Sequence, residues 1–123
     1  MTTKIDLSNF KNGNSTIFTG RPQGASVRER LELDKIDLNS EKIIFIVPDN
    51  TTSFNPSFYL GLLFKSYEKL GVEYFEEKYS FELSTEDEPT KKVLLNNLDD
   101  GKRYAINSLT PTSSFKSLFT KEK

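Results

Sequence analysis

The chain of 123 residues contains neither cysteine nor histidine. Their absence excludes thiol nucleophiles, disulfides, zinc sites of the Cys/His type and imidazole acid–base chemistry. A lack of disulfides is typical of proteins kept in a reducing cytoplasm. No segment approaches the roughly 20 apolar residues that span a bilayer, and the first ten residues lack the apolar run of a signal peptide. We therefore expect a cytoplasmic protein without a membrane segment.

The chain also lacks a net charge of either sign that would attract a polyelectrolyte. Lysine and arginine total 17 against 18 aspartates and glutamates, so the net charge is −1. With this balance the protein has no overall electrostatic field that would attract nucleic acid or an anionic membrane, and we expect neither as a partner. The acidic run 86–88 is best interpreted as an exposed loop, because acidic residues are rarely buried. We expect no catalytic residue, no metal and no cofactor.

The first third of the chain shows short and weak periodic patterns. Residues 4–10 place Ile5 and Leu7 on one face, which predicts a strand. A turn follows at 12–14, and residues 16–19 are expected to pair back as a second short strand. Residues 20–24 are rich in glycine and predict a loop. The spacing of Ser26 and Glu29 matches a capping box, which predicts a helix from Ser26 to about Leu33.

The centre and the second half of the chain carry stronger signals. Residues 43–47 have no polar position, which is typical of a central strand covered on both faces. Asn55 and Pro56 predict a helix start, and apolar residues at three- and four-residue steps continue to Gly71, where the helix should stop. Strands are predicted at 72–75 and 78–83. Pro89 opens a further helix, with a break expected near 99–101.

This order of elements predicts the fold class. Strands that alternate with helices after residue 42 indicate an α/β protein. We expect one small domain, residues 1–109, with a mixed and mostly parallel sheet packed with helices. Residues 110–123 have no apolar period and predict a loose C-terminal tail.

The loop 49–57 is the most informative segment for function. It follows the apolar strand, and ligands or partners of α/β sheets usually bind at the carboxyl end of such a strand. Hydroxyl and amide side chains fill it without any catalytic set, which favours a recognition surface over an active site. Phe54 is either a plug over the sheet or an exposed anchor for a partner. The candidate partner surface comprises Asn50, Thr51, Phe54, Asn55 and Ser57.

A second candidate site precedes the first predicted helix. Gly20, Arg21, Gly24 and Arg28 could bind an anion, with the arginines supplying charge and the helix terminus supplying N–H donors. The segment lacks the spacing and the lysine of a P-loop. A turn with surface arginines is the competing interpretation. The alternative function under this hypothesis is a phosphate- or nucleotide-binding domain.

Several of these residues carry a family resemblance. Gly20-Arg21, Gly24, the Arg28-Glu29 pair, the apolar strand, Ser53-Phe54 and Gly61-Leu62 follow one another along residues 4–107. This pattern resembles the bacterial STAS-like domain of unknown function, which is related to the STAS and anti-sigma factor antagonist domains.

The resemblance implies a non-enzymatic regulator with a STAS-like fold. Antagonist domains of this type bind an ATPase-fold serine kinase, and phosphorylation of a hydroxyl at the start of the helix after the central strand breaks the complex. By position, that hydroxyl would be Ser53, with Thr52 next. The competing interpretation is that Ser and Thr residues occupy this loop because they cap helices. A further alternative is a phage or mobile-element accessory protein that occupies a host protein.

Overall fold

The computed structural model describes residues 2–10 and 16–109. The elements in chain order are β1 (Thr2–Asp6), a short 3-10 helix (Leu7–Phe10), β2 (Ile17–Phe18), α1 (Arg21–Leu31), α2 (Leu33–Ile36), β3 (Lys42–Val47), β4 (Ser53–Phe54), α3 (Pro56–Lys78), β5 (Tyr79–Leu83) and α4 (Glu88–Ser108).

The main sheet has three strands in the order β1-β3-β5, and both pairs are parallel. A second sheet is a short parallel ribbon of β2 and β4. This architecture confirms the predicted fold class, a small α/β domain with a mostly parallel sheet packed with helices. The predicted strands 43–47 and 78–83 are β3 and β5. Among the described residues no helix is long and apolar enough to cross a bilayer.

The two faces of the main sheet differ in chemistry. Phe45 lies between Ile5 and Phe81 in the register, and this face packs against the helices. On the opposite face the neighbouring strands contribute charged side chains, and Lys4 forms an ion pair with Glu82 (3.4 Å). Ile44 and Ile46 are only half-buried there. The prediction that β3 is covered on both faces is therefore wrong within the described residues, because polar side chains of the edge strands flank it instead of a second helical layer.

The N-terminal elements differ from the prediction in two respects. The first strand ends at Asp6, and Leu7 is fully buried in the 3-10 helix that follows. The second strand does not pair back on the first, since Ile17 and Phe18 pair with Ser53 and Phe54. The turn expected at 12–14 lies outside the described residues.

Helix α1 begins five residues earlier than predicted. Gly20 is its N-cap at φ 94°, and Pro22 lies in its first turn. Residues 21–24 are thus helical, and the loop prediction for them is wrong. Ser26 is an exposed residue inside the helix, so the predicted capping box is wrong as well. A proline is compatible with the first helical turn because no N–H partner is needed there, whereas the sequence signal at Ser26 is only a coincidence of spacing.

Helix α3 begins as predicted, and Gly71 interrupts it where the helix was expected to stop. The Asn55 side chain accepts a hydrogen bond from the Ser57 N–H (2.8 Å), which confirms the cap. Gly71 (φ 80°, ψ 163°) interrupts the helix, which then resumes to Lys78. The predicted strand 72–75 is therefore wrong. The reason is tertiary: the second segment brings the Phe75 ring onto Tyr67, with ring centroids 3.8 Å apart.

Helix α4 is continuous through the break predicted near 99–101. Asp87 caps it by accepting from the Thr90 N–H (3.1 Å). Gly101 faces the Tyr59 ring, and a Cβ at this position would lie 2.5 Å from a ring carbon. Close packing, and not a helix end, therefore accounts for this glycine. The predicted tail 110–123 lies outside the described residues.

Two glycines allow α1 and α3 to pack in close contact. A Cβ on Gly24 would lie 2.2 Å from the Phe58 carbonyl oxygen, and one on Gly61 would lie 2.1 Å from that of Arg21. The Gly20 N–H donates a hydrogen bond to the Ser57 hydroxyl, which places the beginnings of the two helices side by side. This contact brings residue 20 to the loop that follows β3.

Candidate functional site

The β2–β4 ribbon joins two regions that are far apart in the sequence. Pairing of Ile17 with Ser53 places residues 16–21 directly beside the loop 49–57. The exposed side chains of this region are those of Thr16, Ile17, Thr19, Arg21, Asp49, Asn50, Thr52 and Asn55, and we call them the ribbon surface. It contains most of the exposed part of the predicted partner loop together with one of the two predicted anion-binding arginines.

The hydroxyls of Thr52 and Ser53, the two candidates for phosphorylation, occupy different environments. Thr52 is exposed, and its Oγ1 lies 3.0 Å from the Thr16 Oγ1 and 3.3 Å from the Thr16 carbonyl oxygen. Its backbone N–H also donates to the Thr16 carbonyl (2.7 Å). Ser53, by contrast, is half-buried within β4. Thr52 is therefore the more accessible of the two hydroxyls.

Phe54 is a core residue and not an exposed anchor. It is fully buried, and its ring centroid lies 5.3 Å from that of Phe18, 5.2 Å from that of Phe58 and 5.5 Å from that of Phe81. Its backbone N–H donates to the side-chain oxygen of Asn97 (2.9 Å). Of the two interpretations left open by the sequence, the structure shows the plug over the sheet, and Phe54 does not belong to a partner surface.

The other loop residues are divided between the surface and the interior. Thr51 is fully buried, and its backbone N–H donates to the Pro48 carbonyl (3.1 Å). Ser57 is half-buried, accepts from the Gly20 N–H (3.1 Å) and donates to the Asn55 side chain (2.7 Å). Thr51 therefore contributes to the fold, and Ser57 links the two halves of the ribbon surface.

The predicted anion-binding residues are not brought together. Arg21 is exposed, and its guanidinium carbon lies 5.6 Å from the centroid of the Phe64 ring. Gly24 is buried in the contact between α1 and α3. The Arg28 side chain is buried, and its guanidinium contacts Asp34 and Asp37, each at 2.7 Å. Because two carboxylates already neutralise Arg28, only Arg21 and Gly20 remain near the surface that the anion-site hypothesis requires.

The partners of Arg28 form a buried polar cluster that the sequence did not reveal. Asp37 is completely buried and accepts hydrogen bonds from Arg28, from the Ser66 hydroxyl (2.6 Å) and from the Tyr79 hydroxyl (2.5 Å). Burial, followed by the contacts with Asp37, raises the pKa of Tyr79. The hydrogen bond from Arg28 lowers the pKa of the exposed Asp34. Both carboxylate oxygens of Asp37 accept hydrogen bonds, so the cluster connects α1, α2, α3 and β5.

Sequence reasoning missed Thr16 and Ile17 as members of the candidate site. Both precede Phe18, which is buried, whereas Ile17 is 43% exposed. The alternation of Ile17 and Phe18 was the only available signal, since in a strand successive side chains point to opposite faces. Two residues are too few for this signal to show which of them faces the solvent.

No metal site and no family assignment emerges at this stage. In the described part of the chain, no three side chains of the His, Cys, Asp or Glu type come together to hold a metal ion. No protein-family model matches the chain, and neither a curated protein nor a solved structure does. The STAS-like resemblance thus stays a prediction that rests on the residues quoted above.

Proposed function

We propose that the chain is a non-enzymatic regulatory module that binds another protein through the ribbon surface. The observation that carries the proposal is the pairing of β2 with β4, which makes a continuous exposed surface out of two segments. Ile17 supplies an exposed apolar side chain, and Thr16, Thr52 and Asn55 in the same two segments supply exposed hydrogen-bonding groups. An apolar centre with a polar rim is the usual composition of a protein–protein interface.

The proposal includes a cytoplasmic location and a kinase-like partner. The location rests on the absence of cysteine from the sequence. An ATPase-fold serine kinase is the partner implied by the STAS-like resemblance. A phage or mobile-element accessory protein that occupies a host protein would use the same surface and satisfies the same observations.

Phosphorylation of Thr52 is the regulation that the geometry supports best. Its hydroxyl is exposed, whereas that of Ser53 lies within the ribbon. A phosphate would add almost two negative charges and would remove the hydroxyl from its contact with Thr16. Such a change within the ribbon surface is expected to weaken binding of the partner.

The proposal is tested by capturing partners from an extract of the source cell with the immobilised 123-residue chain. Ile17→Glu places a charge on the ribbon surface, and Leu38→Glu is the matched control because Leu38 is another exposed apolar residue (76%), located after α2. We expect a protein that binds the wild type and Leu38→Glu but binds Ile17→Glu and Thr52→Glu at least ten times more weakly. Equal capture by all four proteins would contradict the proposal.

A further inference from the structure

A cavity of about 300 Å³ lies between α3, β5 and α4, and none of its lining residues belongs to the ribbon surface. Leu95 and Leu98 of α4 line it, and α3 and β5 contribute five aromatic side chains, those of Tyr59, Tyr67, Phe75, Tyr79 and Phe81. Ligand pockets of proteins begin at about this volume, and an apolar cavity of about 150 Å³ already holds one benzene molecule. The cavity therefore has room for a compound built on a single aromatic ring.

The Tyr59 and Tyr67 hydroxyls leave one of their two protons without an acceptor. Their oxygens lie 2.7 Å apart, so one hydroxyl donates a hydrogen bond to the other. In the described part of the chain neither hydroxyl makes any other hydrogen bond. Each tyrosine hydroxyl has one proton to donate, and a buried donor without an acceptor is costly. The pair can therefore donate one further hydrogen bond.

Burial assigns this remaining proton to Tyr59. Both tyrosines line the cavity, but Tyr67 has no exposed surface, whereas Tyr59 retains 4%. A molecule in the cavity can therefore touch Tyr59 and not the Tyr67 hydroxyl. It follows that Tyr67 donates to the Tyr59 oxygen, and that the Tyr59 O–H is available to a hydrogen-bond acceptor in the cavity.

The charged residues of the cavity favour a neutral acceptor over an anion. Glu76, Asp99 and Lys102 are among the lining residues, and Lys102 forms an ion pair with Glu76. Two carboxylates against one ammonium leave an excess of negative charge. Burial and the contact with Tyr67 raise the pKa of Tyr59, and the charges of Glu76 and Asp99 raise it further. The Tyr59 hydroxyl therefore keeps its proton at neutral pH, in surroundings that disfavour a second negative group.

We propose that this cavity binds a neutral compound with one aromatic ring and a hydrogen-bond acceptor, of the aryl ketone or aryl amide class. The ring packs against the aromatic side chains, and the acceptor receives the Tyr59 O–H. The ribbon surface is not involved, so this proposal and the proposed function can fail independently.

An NMR titration of the 123-residue chain with acetophenone tests the proposal. We expect the amide resonances of Phe81, Leu95 and Leu98 to shift and to saturate with a Kd on the order of 1 mM, as is usual for so small a ligand. Those of Ile17 and Thr52 should stay unchanged. Benzoate, which has a negative charge on the same ring, should bind at least about threefold more weakly. Shifts that do not saturate, shifts centred elsewhere, or equal binding of benzoate would overturn the proposal.

The hydrogen bond is tested with a second probe, α-methylstyrene, which has a CH₂ group in place of the carbonyl oxygen of acetophenone. Tyr59→Phe should weaken acetophenone binding by about threefold to tenfold and should change α-methylstyrene binding by less than about twofold. Tyr67→Phe is the matched control, because it keeps the Tyr59 proton, and it should bind acetophenone within about twofold of the wild type. Equal weakening of both probes by Tyr59→Phe, or a larger loss of acetophenone binding in Tyr67→Phe, would overturn the proposal.

A second pair of variants tests the location without altering the core. Leu95 is 53% exposed, so Leu95→Glu is compatible with the fold and places a charge beside the ligand. It should weaken acetophenone binding at least about threefold. Val93→Glu is the control, since Val93 is similarly exposed (46%) but is not among the residues that line the cavity, and it should bind like the wild type. Equal affinity of the two variants would overturn the proposal.

Discussion

At the scale of the residue, Asp37 supplies the negative charge that compensates the buried guanidinium of Arg28. Its carboxylate is fully buried with the guanidinium of Arg28, and Ser66 and Tyr79 donate to its other oxygen. A buried ion pair contributes little net stability, but removal of one partner leaves the other charge without compensation. The cluster therefore fixes the relative positions of α1, α3 and β5 more than it adds to the free energy of unfolding.

The variant Asp37→Asn should lower the free energy of unfolding by about 3 kcal/mol, because the amide cannot neutralise the buried Arg28. Asp34→Asn is the control, since Asp34 contacts the same guanidinium (2.7 Å) but is exposed, and its replacement should lower the free energy of unfolding much less than that of Asp37. Urea denaturation of both variants measures the difference. A cost for Asp34→Asn equal to that for Asp37→Asn would show that burial is not the decisive factor.

Single residues were the hardest feature to predict from the sequence. Arg28 was expected at the surface because arginines are usually exposed, and its two carboxylate partners are six and nine positions further along the chain. No local pattern reports such a pair. Phe54 was left open for the same reason, since its burial depends on Phe18 and Phe81, which lie far away in the sequence.

At the scale of the element, the contact between α1 and α3 depends on the absence of side chains at two positions. Gly24 and Gly61 each face backbone atoms of the other helix, and a Cβ would lie within 2.2 Å of a carbonyl oxygen. Backbone atoms cannot move aside as a flexible side chain can. The separation of the two helices, and with it the position of Gly20 beside Ser57, is therefore fixed by glycine.

The variant Gly61→Ala should destabilise the protein by about 2–3 kcal/mol, because the added methyl group forces the two helices apart. Ser26→Ala is the control on α1. It would cost about 1 kcal/mol if Ser26 capped the helix, but it should cost nothing here, because Ser26 is exposed inside α1. Thermal unfolding of both variants measures the effects. A stable Gly61→Ala protein would contradict the close contact.

Elements with strong local signals were predicted correctly. The apolar run of β3 and the Asn55-Pro56 start of α3 are each determined within a few residues, and the structure has both. The start of α1 and the helix after Gly71 were missed, because the capping-box spacing at Ser26 and the strand-like residues 72–75 outweighed weaker signals. Tertiary packing, such as that of Phe75 on Tyr67, then decides between helix and strand.

At the scale of the whole molecule, buried tyrosines make the free energy of unfolding depend on pH. Tyr59 and Tyr67 share a hydrogen bond in the interior (2.7 Å), and burial is the main cause that raises the pKa of each. Burial raises the pKa of Tyr67 to about 12, against about 10 in an unfolded chain. Folding therefore holds these hydroxyl protons at pH values where the unfolded chain has released them.

The free energy of unfolding should fall as the pH rises above about 10, because the unfolded chain then binds fewer protons than the folded one. The contribution of Tyr67 is fully present below pH 10 and is lost as the pH rises towards 12. Each such tyrosine contributes a slope of up to about 1.4 kcal/mol per pH unit.

Urea denaturation between pH 9 and 11 measures this slope. Tyr67→Phe should reduce it, and Tyr74→Phe, which replaces an exposed tyrosine (68%), should leave it unchanged. An identical slope in the wild type and Tyr67→Phe would contradict the linkage.

The fold class could be predicted from the sequence, whereas the composition of the candidate site could be predicted only in part. Alternating strands and helices indicated the parallel sheet, and the loop 49–57 was singled out by its position after β3. The contribution of Thr16 and Ile17 could not be predicted, because it arises from pairing of two-residue strands 36 positions apart. Long-range pairing of such short strands leaves almost no trace in the sequence.

The central claim is that the ribbon surface binds a protein partner, and hydrogen–deuterium exchange on the complex tests it most directly. The 123-residue chain is compared alone and with the captured partner, and deuterium uptake is followed by mass spectrometry along the chain. We predict slower exchange on binding within residues 16–21 and 49–57, and unchanged exchange around Leu38. Protection confined to other parts of the molecule, with these two segments unaffected, would contradict the account.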